Sequence, residues 1–202
     1  EPTDKDLIMM LIKENSELKN MMMKVLENGT QNNCNNTTNS HNKAFNLQFF
    51  LNETCKDAMN IGEFVDSLKL QLSDLEKVGE AGYIEGISSI IVKNLKALDV
   101  TKRPVHCTDK KRETIYIKDQ GVWEKDVEKT KIRGLVKKVA GKNARLLQVF
   151  KEKHPDYNQY HSKYSMQYNK LVIEAFGGKG DNDLEKEDKI IRNITKTIVV
   201  EK

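Results

Sequence analysis

The chain has little of several residue types that mark particular protein classes. Its 202 residues include three cysteines and three prolines, and aromatic residues make up 6%. Cys34, Cys55 and Cys107 are odd in number, widely spaced and without a CxxC pair, which argues against a disulfide framework and a self-contained zinc site. We therefore expect a reducing compartment, cytoplasmic or nuclear, rather than secretion.

Long apolar runs and known catalytic motifs are also missing. No run approaches the roughly 18 residues that a membrane span requires, so no membrane partner is expected. The patterns GxGxxG, HExxH and GxSxG are absent from the sequence, and the run Gly177-Gly178-Lys179-Gly180 lacks the spacing of a P-loop. The sequence predicts no cofactor and no metal.

The length and charge of the chain permit a binding function. With 202 residues, it can form one sizeable core with an appended element. A net charge of +4, with 32% of residues charged, is compatible with a nucleic-acid partner but does not demand one.

Residues 1–28 contain an apolar repeat with the spacing of a short coiled coil. The repeat places three residues at a positions and three at d positions, and an asparagine at an interior a position is typical of parallel dimers. The predicted oligomerisation residues are Ile8, Leu11, Asn15, Leu18, Met22 and Val25. A parallel homodimer is favoured.

Two alternatives to the dimer remain open for this helix. Leu7 and Met21 at g, with Ile12 and Leu26 at e, widen the apolar stripe, which suits a tetramer. The same stripe also suits an amphipathic helix that lies on its own domain. Residues 29–44 are rich in asparagine and threonine and are predicted to be a flexible linker.

Residues 45–202 are predicted to form one α+β domain, mostly helical with a small antiparallel sheet. The apolar alternation in 45–53 indicates a short strand or a docking segment. The spacing of the apolar residues then favours two short helices within 56–78, starting at Asp57 and Ser73, and a helix over 83–98. Three strands are predicted in 103–126, followed by helices over 128–153, 158–176 and 184–195 and a closing strand from 197.

The helix predicted over 128–153 carries nine basic residues and one acid from Lys129 to Lys153. A face of single charge suits contact with nucleic-acid phosphates, although a solvated surface explains it equally well. The predicted phosphate-binding residues are Lys131, Arg133, Lys137, Lys138, Lys142 and Arg145.

Two further groups of residues are weighed as sites. Tyr157, Tyr160, Tyr164 and Tyr168 recur at helical spacing and could stack bases, although packing on the preceding helix is favoured. Asp109 and Glu113, with Lys118, loosely approximate the acids of a metal-dependent nuclease, which is the catalytic alternative.

His106 and Cys107 are neighbours on a predicted strand, where their side chains point to opposite faces. A direct nucleophilic pair of these two residues is therefore not expected.

Several blocks of the sequence together resemble an uncharacterised family of giant viruses, the large double-stranded DNA viruses of protists. The blocks are FNLQFFLNETCKDAMNIGEFVDSL, VGEAGYIEGISSIIVKNLKALDV, RPVHCTDKKRETIYIKDQGVWEKD and IIRNITKTIVVEK. The resemblance implies a coiled coil and a C-terminal domain behind a short C2H2-type zinc finger that precedes residue 1. It also implies a nucleic-acid-linked protein of the infected host cell, and it implies no catalytic residue.

The sequence therefore favours a non-enzymatic oligomerisation and binding module of a virus, linked to DNA or RNA in a regulatory or architectural role. The alternatives are a metal-dependent nuclease and a scaffold protein of the virus particle or of its replication site.

Overall fold

The computed structural model describes Glu17, Lys19 and residues 45–200. The predicted oligomerisation residues Ile8, Leu11, Asn15, Leu18, Met22 and Val25, and the predicted linker at 29–44, lie outside the described residues. The chain divides after residue 44 into two compact units, and the elements described below belong to the second unit, Phe45–Lys202.

The described part of the second unit combines helices with a small antiparallel sheet, as the sequence predicts. The helices are α1 (Leu47–Phe49), which continues as a π-helix (Phe50–Thr54), α2 (Ile61–Ser67), α3 (Leu72–Ala81), α4 (Tyr83–Lys96), a 3-10 turn (Val100–Lys102), α5 (Thr130–Lys153), α6 (Lys163–Ala175) and α7 (Asp183–Thr195). The strands are β1 (Val105–Asp109), β2 (Thr114–Asp119) and β3 (Val122–Lys125).

The sheet is a meander in the order β1-β2-β3, with both neighbouring pairs antiparallel. Gln120 and Gly121, both at positive φ, form the tight turn between β2 and β3. Within the described residues, which end at 200, the predicted closing strand forms one bridge, in which Val199 lies parallel to Cys107 of β1. The three central strands are thus confirmed, whereas the described part of the closing segment forms a bridge rather than a strand.

The prediction of a strand in 45–53 is wrong, because these residues are helical. Asn46 caps the segment with its side chain, which accepts a hydrogen bond from the backbone N–H of Phe49 at 3.1 Å. Among the residues of α1 and the π-helix, only Leu51 is buried, and Phe49 is 61% exposed. Of the alternating apolar residues only Leu51 is buried, so the period-2 pattern does not mark one buried face and gave a false indication of a strand.

Helices α2 and α3 begin at other residues than Asp57 and Ser73. Each is capped by a carboxylate in its first turn. Glu63 accepts a hydrogen bond from the backbone N–H of Asn60, and Asp74 accepts one from that of Gln71, both at 2.8 Å. Helix α6 begins later than predicted, after Ser162.

The main core lies between the sheet and helices α2, α4, α5 and α7. It includes Ile87 and Ile91 of α4 and Ile190 and Ile194 of α7, all fully buried. A smaller apolar cluster around Phe150 joins α3, α5 and α6. Together the two clusters fix α4, α6 and α7 around the cleft described next.

Candidate functional site: a cationic cleft beside helix α7

The basic residues at the start of α5 are paired with acids of the same domain. Lys131 forms salt bridges with Asp119 at 2.6 Å and with Glu124, and these hydrogen bonds, the one to Asp119 first, raise the pKa of its ammonium group. The guanidinium of Arg133 binds the nearly buried carboxylate of Glu187 at 2.9 Å. Much of the positive charge of this helix is therefore neutralised within the fold.

The rest of the predicted set divides in two. Lys137 lies 3.5 Å from Glu187, while Lys142 donates to backbone carbonyls at the end of α2, those of Val65 at 2.6 Å and Leu68 at 3.2 Å. Such a lysine caps the negative end of a helix dipole. Lys138 and Arg145 are exposed, and no carboxylate lies within salt-bridge distance of them in the described residues.

Helix α7 carries opposite charges on two of its edges. One edge presents Glu187 and Asp188 to Arg133 of α5. The other edge presents Lys186 and Lys189, and Lys196 follows at the same helical spacing directly after the last residue of α7. Glu187 and Asp188 therefore neutralise a cation of α5, and the lysines on the other edge of α7 lie away from these two acids.

Those cations line a cleft of about 500 Å³. Its walls come from three parts of the chain: the turn between α3 and α4 (residues 81–85), the end of α6 with the loop that follows it (residues 174–179), and helix α7 with the residue directly after it (residues 186–196). Among the described residues, the walls hold five cations, Lys179, Lys186, Lys189, Arg192 and Lys196, but only two carboxylates, Glu85 and Glu174.

The cations of the cleft differ in how firmly they are held. Lys186 is buried and donates to the carbonyl of Gly180 at 2.6 Å, and Arg192 lies 3.2 Å from Glu113. Lys179, Lys189 and Lys196 are exposed, with no carboxylate within 4.0 Å of their ammonium groups among residues 45–200. These three lysines, which we call the rim lysines, are available to an anion.

The two carboxylates are already engaged in hydrogen bonds. Oε2 of Glu174 accepts a bond at 2.8 Å from the backbone N–H of Tyr83, where α4 begins. Oε1 of Glu85 accepts one from the side-chain amide of Asn193 at 3.2 Å. The start of α4 adds a partial positive charge to the cleft, which Glu174 in part balances.

The loop Gly177-Gly178-Lys179-Gly180 forms one wall because its glycines adopt positive φ. The backbone N–H of Gly178 donates to the carbonyl of Ile173 at 2.9 Å, which ends α6 and turns the chain toward α7. Lys179 is thereby placed at the cleft. The sequence excludes a P-loop for this run and predicts no other role for it, although its glycines and its lysine are the features in the sequence that indicate such a loop.

The residues of the nuclease alternative are not gathered into one site. Glu113 is held by Lys129 and Arg192, and Asp109 accepts hydrogen bonds from the backbone of the following turn. Lys118 lies toward the other end of the β1–β2 hairpin, where its backbone N–H donates to Pro104. In the part of the chain that the structure describes, no group of three or more histidines, cysteines or acids could hold a metal ion.

The tyrosine stripe is mostly a packing surface, as the sequence favoured. Tyr157, Tyr164 and Tyr168 pack against the apolar cluster of Phe150, and Tyr164 stacks on His154 with 3.7 Å between ring centroids. Tyr160 is the exception, since it is 92% exposed.

His106 has a partner that the sequence did not reveal. Its side chain faces Cys55, 51 residues earlier, and is covered by the rings of Phe50 and Trp123. Cys107 lies in the main core on the other face of β1, so the two neighbours are separated as predicted. Burial raises the pKa of the Cys55 thiol, which favours its neutral, unreactive form.

Among the described residues no helix is long and apolar enough to cross a membrane. Comparisons with known proteins identify no relative: no protein-family model matches the chain, and neither a curated protein nor a solved structure shows significant similarity to it.

Proposed function

We propose that this chain is a non-enzymatic, self-associating binding module that contacts the phosphates of a nucleic acid through the rim lysines of the cleft. The observation that carries the proposal is the presence of three exposed lysines, Lys179, Lys189 and Lys196, around one concave surface, with no carboxylate within 4.0 Å of their ammonium groups among residues 45–200. Lysine is a common phosphate-binding residue, and such contacts supply most of the non-specific affinity of proteins for nucleic acids.

The proposed contact surface differs from the one that the sequence favoured. Four of the six predicted phosphate-binding residues of α5 bind acids or carbonyls of this domain, so an incoming phosphate would compete with those partners. The rim lysines have no such competitor in the described residues. Lys138 and Arg145 could extend the surface, and their contribution stays a prediction.

Self-association through residues 1–28 is the second part of the proposal, and it is supported by the heptad pattern. In a paired molecule, binding of one cleft to a nucleic-acid strand would raise the effective concentration of the second cleft near that strand and so increase the overall affinity. The resemblance to the giant-virus family supports placing this module in an infected host cell, where a zinc finger would add a further DNA contact.

The binding part is tested by fluorescence anisotropy with a labelled single-stranded oligonucleotide over a range of salt concentrations. Three phosphate contacts predict a slope of about −2 for log K against log [salt], since each contact on a single strand contributes about −0.7. Absence of binding at low salt, or binding that does not respond to salt, would overturn the proposal.

The assembly part is tested by light-scattering mass of the whole chain and of a chain that begins at Phe45. We expect a dimer or tetramer for the whole chain and a monomer for the shortened one. An equal oligomer for both would show that the heptads do not assemble the molecule.

A further inference from the structure

The volume of the cleft favours single-stranded over double-stranded nucleic acid as its ligand. A volume of about 500 Å³ lies within the roughly 300–1,000 Å³ that is common for small-ligand sites. A duplex keeps its bases paired and stacked inside and can offer only its backbone to such a cleft. A single strand can insert a whole nucleotide.

The lining of the cleft has separate regions for a base and for a phosphate. Tyr83 and Ile84, both half-buried, supply apolar surface at the start of α4, and the exposed Ala81 also lines the cleft. The rim lysines lie on the other walls, on the loop after α6 and on α7. An aromatic side chain beside cations is the combination that holds unpaired nucleotides in single-strand-binding proteins.

Polar groups on the wall can contact the edge of a base. The amide nitrogen of Asn193 donates to Glu85 at 3.2 Å and to the hydroxyl of Ser88 at 3.3 Å, so its orientation is fixed. The carboxamide oxygen of Asn193 and the second oxygen of Glu85 can then accept hydrogen bonds. Acceptors at this position favour a base that carries an exocyclic amino group.

We propose that the cleft takes one nucleoside monophosphate unit, with its base against Tyr83 and Ile84 and its phosphate among the rim lysines. This inference rests on the proposed function, because it names the substrate class of the same site. The unit is an unpaired nucleotide of a strand or a free nucleotide, and the two sources share this chemistry.

The first experiment is competition against a labelled single strand on the whole chain. The competitors are the unlabelled strand, its duplex, adenosine monophosphate and inorganic phosphate. We expect the single strand to compete roughly 5- to 100-fold better than the duplex, and the nucleotide to compete better than phosphate, because a stacked base adds that much affinity.

The second experiment fills the cleft without changing its charge. Ala81 is exposed at the end of α3, so Ala81→Trp should leave folding intact, which thermal unfolding checks. We expect Ala81→Trp to lower the affinity for the single strand to that for the duplex and to leave the duplex affinity unchanged. Lys189→Gln is the comparison variant, and it should weaken the binding of both.

The outcomes separate this inference from the proposed function. Equal affinities for single strand and duplex, unaffected by Ala81→Trp, would overturn the inserted nucleotide and leave phosphate binding intact. If adenosine monophosphate binds but neither the single strand nor the duplex does, the nucleoside monophosphate site would be supported and nucleic-acid binding would be overturned. If neither strand nor nucleotide binds, both proposals fail.

Discussion

The Nε2 atom of His106 lies 3.6 Å from the Sγ atom of Cys55, and both side chains are fully buried. Burial, with a smaller contribution from the charge of Arg103, lowers the pKa of His106 to about 4. The imidazole is therefore neutral in the folded protein at ordinary pH, and the thiol can donate to its ring nitrogen.

This depressed pKa predicts a loss of stability in acid. An unfolded histidine has a pKa of about 6.5, so between pH 6.5 and 4 the unfolded state binds the proton and the folded state does not. The contribution of His106 to the free energy of unfolding is therefore fully present above pH 6.5. It falls by roughly 3 kcal/mol as the pH drops to 4, on the basis of about 1.4 kcal/mol per pKa unit.

Urea unfolding at several pH values measures this effect. His106→Leu should be less dependent on pH over that range, whereas His161→Leu, a change at an exposed residue, should keep the wild-type dependence. An unchanged pH dependence in His106→Leu would show that His106 is not the group responsible.

Arg133 and Glu187 form one of the salt bridges between α5 and α7. Glu187 is 5% exposed, and its closest positive partner is the guanidinium of Arg133 at 2.9 Å. Arg133→Met should destabilise the domain by roughly 2–3 kcal/mol, because it leaves a nearly buried carboxylate without that partner. The double variant Arg133→Met/Glu187→Leu should recover much of the loss in denaturant unfolding.

Lys138→Met, on the exposed face of the same helix, is the matched control and should change stability by no more than about 0.5 kcal/mol. If Arg133→Met were as mild as this control, Arg133 would be free to serve as a phosphate contact after all.

Two helical glycines should respond to alanine in opposite directions. A Cβ at Gly86 of α4 would lie 2.7 Å from the Cα of Val78 in α3, whereas a Cβ at Gly134 of α5 meets nothing within 4 Å. We expect Gly86→Ala to destabilise by about 1–3 kcal/mol through overpacking. Gly134→Ala should stabilise by about 0.5–1 kcal/mol, because glycine is unfavourable inside a helix.

Thermal unfolding of the two variants measures both effects. A stable Gly86→Ala protein would mean that α3 and α4 can separate, and the turn that forms one wall of the cleft would not be rigid.

The elements that were predictable from sequence are those whose pattern and packing agree. Apolar residues at helical spacing in 83–98 do face the core, as Ile87, Ile91 and Leu95 show, and the change of period near Arg103 does mark the sheet. Phe45 and Phe49 follow a strand pattern, but Phe45 packs on the nearby Phe50 and Phe49 is exposed. Their spacing therefore does not reflect burial in the core.

The candidate site was not predictable, because charge counted along the chain does not show which charges meet in the fold. The basic run in α5 stands out in sequence, yet two acids outside the helix neutralise part of it: Asp119, 12 residues before Lys131, and Glu187, 54 residues after Arg133. The cleft draws Tyr83, Lys179 and Lys196 from three segments, and only tertiary packing brings them together.

The proposed function places the cations available to nucleic acid at the cleft rather than on α5. Two double variants test it with equal changes of charge: Lys189→Gln/Lys196→Gln at the cleft and Lys138→Gln/Arg145→Gln on α5. The measurement is the salt dependence of single-strand binding for both. We expect the cleft variant to bind more weakly, with a slope shallower by about 1.4, two contacts at about 0.7 each, while the α5 variant stays near wild type. A loss confined to the α5 variant would contradict this claim and restore the basic helix as the binding surface.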